Sequence, residues 1–257
     1  MEVFLSPDAW IALLTLTFLE IVLGIDNIIF ISIATGKLPP EQRKKATKVG
    51  MFLAMFMRIG LLLGISYLIA MKKPWFSINF SWMTAQVSGQ SIILLLGGLF
   101  LIYKSTTEIR EKVEERGEEE RELSKAAAKS FQNVILQIIM IDLVFSFDSI
   151  LTAVGMTNGV AGALYIMITA VVISVLIMMQ FAVPVGTFVN NHPSIQILGL
   201  SFLILIGFML LTESAHLSNA LIFGNPVTPV PKGYLYFAIS FSLLVEVLNM
   251  KMAKKKK

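Results

Sequence analysis

Four acidic residues, Glu20, Asp26, Asp142 and Asp148, stand inside long apolar stretches, in the motifs EIVLGIDN and DLVFSFDS. At mid-bilayer depth an ionisable side chain is costly unless it is paired, solvated or neutral. A cation passing through would supply the missing charge, so the chemistry these residues can do is cation binding. Asn27 and Ser149, each adjacent to one of the acids, add an amide and a hydroxyl. Every one of these donors is a hard oxygen. Cysteine is absent, and neither of the two histidines lies deep in an apolar stretch. Oxygen-rich sites suit Mn²⁺, Mg²⁺ or Ca²⁺, whereas Cu⁺ and Zn²⁺ normally call for sulfur or imidazole. Several negative charges favour a divalent ion over Na⁺ or K⁺, and they leave H⁺ as a coupling ion.

Helix geometry restricts how the acids can cooperate. Six residues separate Glu20 from Asp26, which is about 9 Å of rise and roughly 120° of rotation, so the two cannot grip one ion from a straight helix. The two motifs align without a gap: Glu20 matches Asp142, Asp26 matches Asp148 and Asn27 matches Ser149, at a constant offset of 122 residues from 20 to 142 and from 26 to 148. At the same offset Arg58 matches Gln180. A second match, GLFLIYKS from Gly98 against GFMLLTES from Gly207, has an offset of 109. If the two segments cross the membrane in opposite directions, Glu20 shares a level with Asp148, and Asp26 with Asp142. That arrangement gives two stacked acidic tiers. Gly24 and Ser146, at equivalent positions, are where the helices could instead open and let all four acids converge.

The elements that must position these groups are membrane spans. Of the 257 residues 56% are apolar and 15% charged, with a mean hydropathy of +0.77, a balance foreign to soluble domains. Seven apolar runs are long enough to cross a bilayer: Trp10–Thr35, Thr47–Met71, Ser88–Tyr103, Phe131–Met156, Val160–Val189, Ile195–Thr212 and Tyr234–Met250. The expected fold is therefore all-α, a polytopic membrane protein of seven transmembrane helices in one transporter domain over 1–257. Two inverted three-helix repeats, about 8–107 and 131–217, are followed by an extra helix at 234–252. No cleavable signal is expected, because the amino end lacks a basic region.

Lys and Arg alternate between the two sides. Lys37, Arg43, Lys44, Lys45 and Lys48, then seven from Lys104 to Lys129, then the terminal lysines fall on one side, against Lys72, Lys73 and Lys232 on the other. Positive residues stay cytoplasmic, so the amino end is expected outside and the carboxyl end inside. The mild positive charge suits anionic lipid rather than nucleic acid. The charged segment 104–130 is expected to be a solvated cytoplasmic helical hairpin broken at Gly117. Arg58, near the centre of the second run, needs a partner, and a carboxylate of the site is the obvious one, making it a candidate counter-ion. A carbonyl partner or snorkelling is the competing reading. Lys104, Glu213 and His216 are expected to anchor at interfaces.

The motifs EIVLGIDN and DLVFSFDS, together with GGLFLIYKSTTEI and GFMLLTESAH, resemble the TerC family of bacterial membrane proteins, over essentially the whole chain. That resemblance implies an inner-membrane location and a kinship with the lysine-exporter superfamily. Relatives are associated with manganese export and with tellurite-resistance clusters, so the implied function is export of Mn²⁺, with Mg²⁺ and Ca²⁺ left open. It makes Asp26 and Asp148 the central ligands, flanked by Glu20 and Asp142. No catalytic step is expected. Two rival readings are a membrane partner that binds or delivers Mn²⁺ without net flux, and an intramembrane aspartyl protease, since two Asp can share a proton and activate water. The Tyr-Asp and Gly-x-Gly-Asp contexts expected of that protease are missing.

Overall fold

The computed structural model describes residues 6–115, 131–157 and 159–255, without the side chains of Ile25, Asp26, Glu115 and residues 253–255. Its helices are α1 (Pro7–Gly36), α2 (Pro40–Leu63), α3 (Ile65–Ala70), α4 (Gly89–Glu115), α5 (Phe131–Met156), α6 (Ala163–Asn190), α7 (Pro193–Leu217) and α8 (Lys232–Lys255). All except the short α3 are long and apolar enough to cross a membrane, seven among the described residues. They correspond one to one with the expected spans.

Boundaries follow local chemistry. Ser6 caps α1 by accepting from the Ala9 N–H at 3.3 Å, and Pro7 sits in the first turn, where its missing N–H costs nothing. α2 begins at Pro40, earlier than expected, because the basic turn Arg43–Lys48 is itself helical; it ends at Leu63 before Gly64. α4 runs past Tyr103 to Glu115, so the first part of the charged segment is helical as expected. The rest of the segment, Gly117 included, lies outside the described residues.

The helices sort into two compact units. The first contains α1, α2, α3, α5 and α6. There α1 lies along α6 and α2 along α5, and small residues permit the approach: Gly24 leaves room for the Met178 sulfur, Gly50 for Ile138 and Gly186 for Ser32. The second contains α4, α7, α8 and a small sheet. Its α4 and α7 pack so closely at Gly98 and Gly207 that a Cβ on either would come within 2.7 to 2.9 Å of the other's carbonyl oxygen. Packing through small residues is how membrane helices associate when lipid offers no hydrophobic gain. Ser214 strengthens this seam by donating to the Ser91 carbonyl at 2.6 Å.

The sheet was not anticipated. β1 (Pro74–Asn79) and β2 (Met83–Ser88) form an antiparallel hairpin, to which β3 (Leu221–Ile222) and β4 (Asn225–Pro226) add in the order β1-β2-β3-β4. The β3–β4 turn is made by Phe223 and Gly224, both with positive φ (50° and 78°), as a two-residue hairpin requires. Phe80 stacks on Trp82, which also meets Phe223.

Candidate functional site

The acids of the first unit are organised by Arg58. It is only 4% exposed, in the second half of α2, and reaches a carboxylate on each of two neighbouring helices. One amino group of its guanidinium binds Glu20 of α1. Nη2 and Nε donate to the two oxygens of Asp142 on α5, at 2.7 and 3.2 Å, in the bidentate fork that guanidinium geometry favours. Of the two readings of Arg58, the carboxylate partner holds, and it is two carboxylates.

Asp142 is also bound by two other side chains. Ser146, one turn along α5, donates to Oδ2 at 3.0 Å, and the Asn27 amide donates to Oδ1 at 3.3 Å. Glu20, Asn27, Asp142 and Ser146 are all buried. Asn27 is itself half satisfied: its Oδ1 is buried with no hydrogen-bond partner among the described residues. Beside it lies a cavity of about 20 Å³, lined by Asn27, Arg58 and Asp142 with Met51, Val175 and Met178. That is space for about one water-sized occupant.

The expected tiers are modified by this geometry. Asn27 reaches Asp142, so the level expected for Asp26 and Asp142 is shared by the residue next to Asp26. Glu20 belongs to the other level, yet Arg58 ties it to Asp142. The Asp26 side chain lies outside the described residues. Asp148 is half-buried on α5, six residues beyond Asp142, and its backbone carbonyl accepts from Thr152 at 3.0 Å. Neither helix opens: α1 continues through Gly24 and α5 through Ser146. Among the described residues no three carboxylate or imidazole groups come close enough to hold a metal ion. Glu20, Asp142 and Asp148 are therefore not gathered into one preformed cluster. Ser149 is buried, but its hydroxyl donates to the Ser146 carbonyl at 3.2 Å.

Sequence reasoning missed the part that the Ser146 hydroxyl plays in the site and the burial of Glu108 outside it. Ser146 was singled out for its backbone, whereas its hydroxyl binds Asp142; the i, i+4 spacing on one helix face was the available signal. Glu108 was placed in a solvated segment, but it is 0% exposed, with Lys104 Nζ at 2.8 Å from its Oε1. It lies in the second unit and takes no part in the Arg58 cluster.

Comparison with known proteins settles the family. The integral membrane protein TerC family matches residues 5–257. The chain belongs to the TerC family. Among curated relatives, it is 47% identical over 250 residues to the UPF0053 inner membrane protein YgdQ of Escherichia coli K12, covering 97% of this chain and 96% of that protein. A UPF0053 protein of Haemophilus influenzae is 43% identical over 249 residues, with the same two coverages. The UPF0053 inner membrane protein YoaE of Escherichia coli K12 is 45% identical over 249 residues, which is only 44% of its length, so the TerC region there is part of a longer protein. No solved structure matches the chain. As a TerC protein, the chain is an integral membrane protein of seven candidate spanning helices.

Proposed function

We propose that this TerC protein is a transporter of divalent cations in the bacterial inner membrane, with Mn²⁺ as the favoured cargo and export as the direction. The observation that carries the reading is the buried Arg58, a positive charge already held between Glu20 and Asp142 beside a cavity of about 20 Å³. A site that accommodates one cation between two acids from equivalent motifs is suited to exchanging it for another. Asp142, Glu20, the unpartnered Asn27 oxygen and Ser146 offer only hard oxygens, the donor set of Mn²⁺, Mg²⁺ and Ca²⁺. On this reading an arriving divalent ion takes the place of the guanidinium, and Arg58 compensates the acids when the ion leaves. Asp26 and Asp148 serve as the remaining ligands along the path.

The inverted repeat belongs to this reading too. It is supported by helix partners: exchanging α1 with α5 and α2 with α6 turns the α1·α6 contact into the α2·α5 contact. The distribution of Lys and Arg supports an outside amino end and an inside carboxyl end, and the names of the relatives support the inner membrane. The test is reconstitution into sealed vesicles with Mn²⁺, Mg²⁺ or Ca²⁺ under imposed pH gradients. Asp26→Asn and Asp148→Asn should leave insertion intact and remove Mn²⁺ flux. Undiminished flux in both variants would rule out the assignment.

A further inference from the structure

We infer that a second, larger cavity of the first unit, between the first turns of α1 and the end of α5, is the aqueous vestibule through which a hydrated divalent cation reaches Glu20 and Asp148. This rests on the transport reading. The cavity has a volume of about 330 Å³ and is lined by Asp8, Ala12, Thr15, Leu16, Met156 and Thr157, among others. Three of these are polar, and Asp8 supplies a carboxylate at its mouth, exposed on the first turn of α1.

What makes it an approach rather than a surface groove is what lies beneath it. On α1 the residues Ala12, Leu16 and Glu20 succeed one another at intervals of four, one stripe of a helix face, so the buried Leu16 stands about 6 Å above Glu20. On α5 the stripe Met156, Thr152, Asp148 descends in the same way, about 12 Å from the cavity lining to the acid. The two stripes lead from one opening to the two acids that Asp142 and Asn27 do not reach. Leu16, 3% exposed, separates the vestibule from Glu20.

The other end of α1 is closed. Ile28, Ile29, Phe30, Ile31, Ile33 and Ala34 are each at most 6% exposed. Further along, Gly36 sits so near Asn190 that an added Cβ would lie 2.5 Å from its Oδ1. Toward that end lies the cavity of about 20 Å³ beside Arg58. On this reading the acids are approached from the end of the unit at which α1 begins.

The chain contains no cysteine, so the protein is a silent background for thiol labelling. Ala12→Cys and Thr15→Cys in the reconstituted full-length protein should react with a membrane-impermeant methanethiosulfonate at least about tenfold faster than Ile31→Cys, since thiol reaction follows access to water. Mn²⁺ should slow that reaction, and Asp8→Asn should weaken the slowing. Attaching the bulky cationic reagent at position 12 should block Mn²⁺ flux. Reaction only with a lipid-soluble maleimide would show a lipid-filled groove and overturn the vestibule. Full flux after complete labelling would overturn it as well, while leaving the transport reading intact. If the unlabelled protein carried no Mn²⁺ at all, the transport reading would fail, and the route with it, although the labelling rates would still report water in the cavity.

Discussion

The two units solve the same problem with opposite chemistry. In each, residues matched by the sequence repeat lie close together: Glu20 and Asp142 in the first, Gly98 and Gly207 in the second. The glycines meet backbone to backbone, and nothing fits between them. The acids cannot meet directly, because two buried carboxylates repel, so a cation stands between them in the form of Arg58. One contact is therefore sealed by having no side chains, and the other is kept open by having charged ones. On the proposed transport reading the molecule needs both kinds, one contact to hold its shape and one to pass an ion.

The largest break in this contrast comes from Arg58→Ala. Removing one partner leaves uncompensated buried charge, a loss of about 3 to 5 kcal/mol, read as a lowered thermal midpoint in detergent. Added Mn²⁺ should restore part of that loss if a divalent ion takes the guanidinium's place. Arg58→Lys, keeping the charge without the fork, should fall between. Gly207→Ala should come next. Its new methyl group would lie 2.7 Å from Ile102 Cγ1 and 2.9 Å from the Gly98 carbonyl, an overpacking cost of about 1 to 3 kcal/mol. Because that seam lies in the second unit, Mn²⁺ affinity should not change. Equal loss of affinity in Gly207→Ala and Arg58→Lys would dissolve the distinction between sealing and charge-holding contacts.

The spans were legible because a bilayer demands runs of apolar residues about 20 long, and composition alone reveals such runs. The end of α5 at Met156 was read to the residue, since the helix stops there and Thr157 begins the turn that follows. The sheet was not legible. Its strands are short, and β2 pairs with β3 across more than a hundred residues of intervening helix, a contact to which no local periodicity points. α2 was read late because its first turns are basic, and hydropathy does not register a helix that projects into water. Arg58 was recognisable by type as needing a carboxylate. Which carboxylates it takes depends on how α1 and α5 flank α2, and that is a property of packing. Glu108 was misread for the reverse reason: its neighbours in sequence are charged, but its face of α4 is not exposed.

Asn27 offers a finer test. Asn27→Ala removes a buried donor to Asp142, a loss of about 1 kcal/mol, and should weaken Mn²⁺ binding modestly. Asn27→Asp places a further carboxylate beside Asp142, so it should lower stability in metal-free buffer and tighten Mn²⁺ binding. If neither stability nor affinity moved, the amide would be a bystander.

The smallest expected effect is at Ser149, whose hydroxyl donates within its own helix. By its position next to Asp148 it was expected to be a ligand, like Asn27, its match in the other motif. In the structure the two matched residues do different things: Asn27 reaches across to Asp142, whereas the Ser149 hydroxyl turns back to the Ser146 carbonyl of its own helix. A serine that bonds within its own turn is contributing little that alanine would not, since alanine forms helix better and leaves no donor unpaired. Ser149→Ala should therefore change stability by less than about 0.5 kcal/mol and leave Mn²⁺ flux at the parental rate. A large loss of flux with unchanged stability would mean that the hydroxyl rotates toward the ion during transport, which would make the two motifs equivalent in function where they differ in structure.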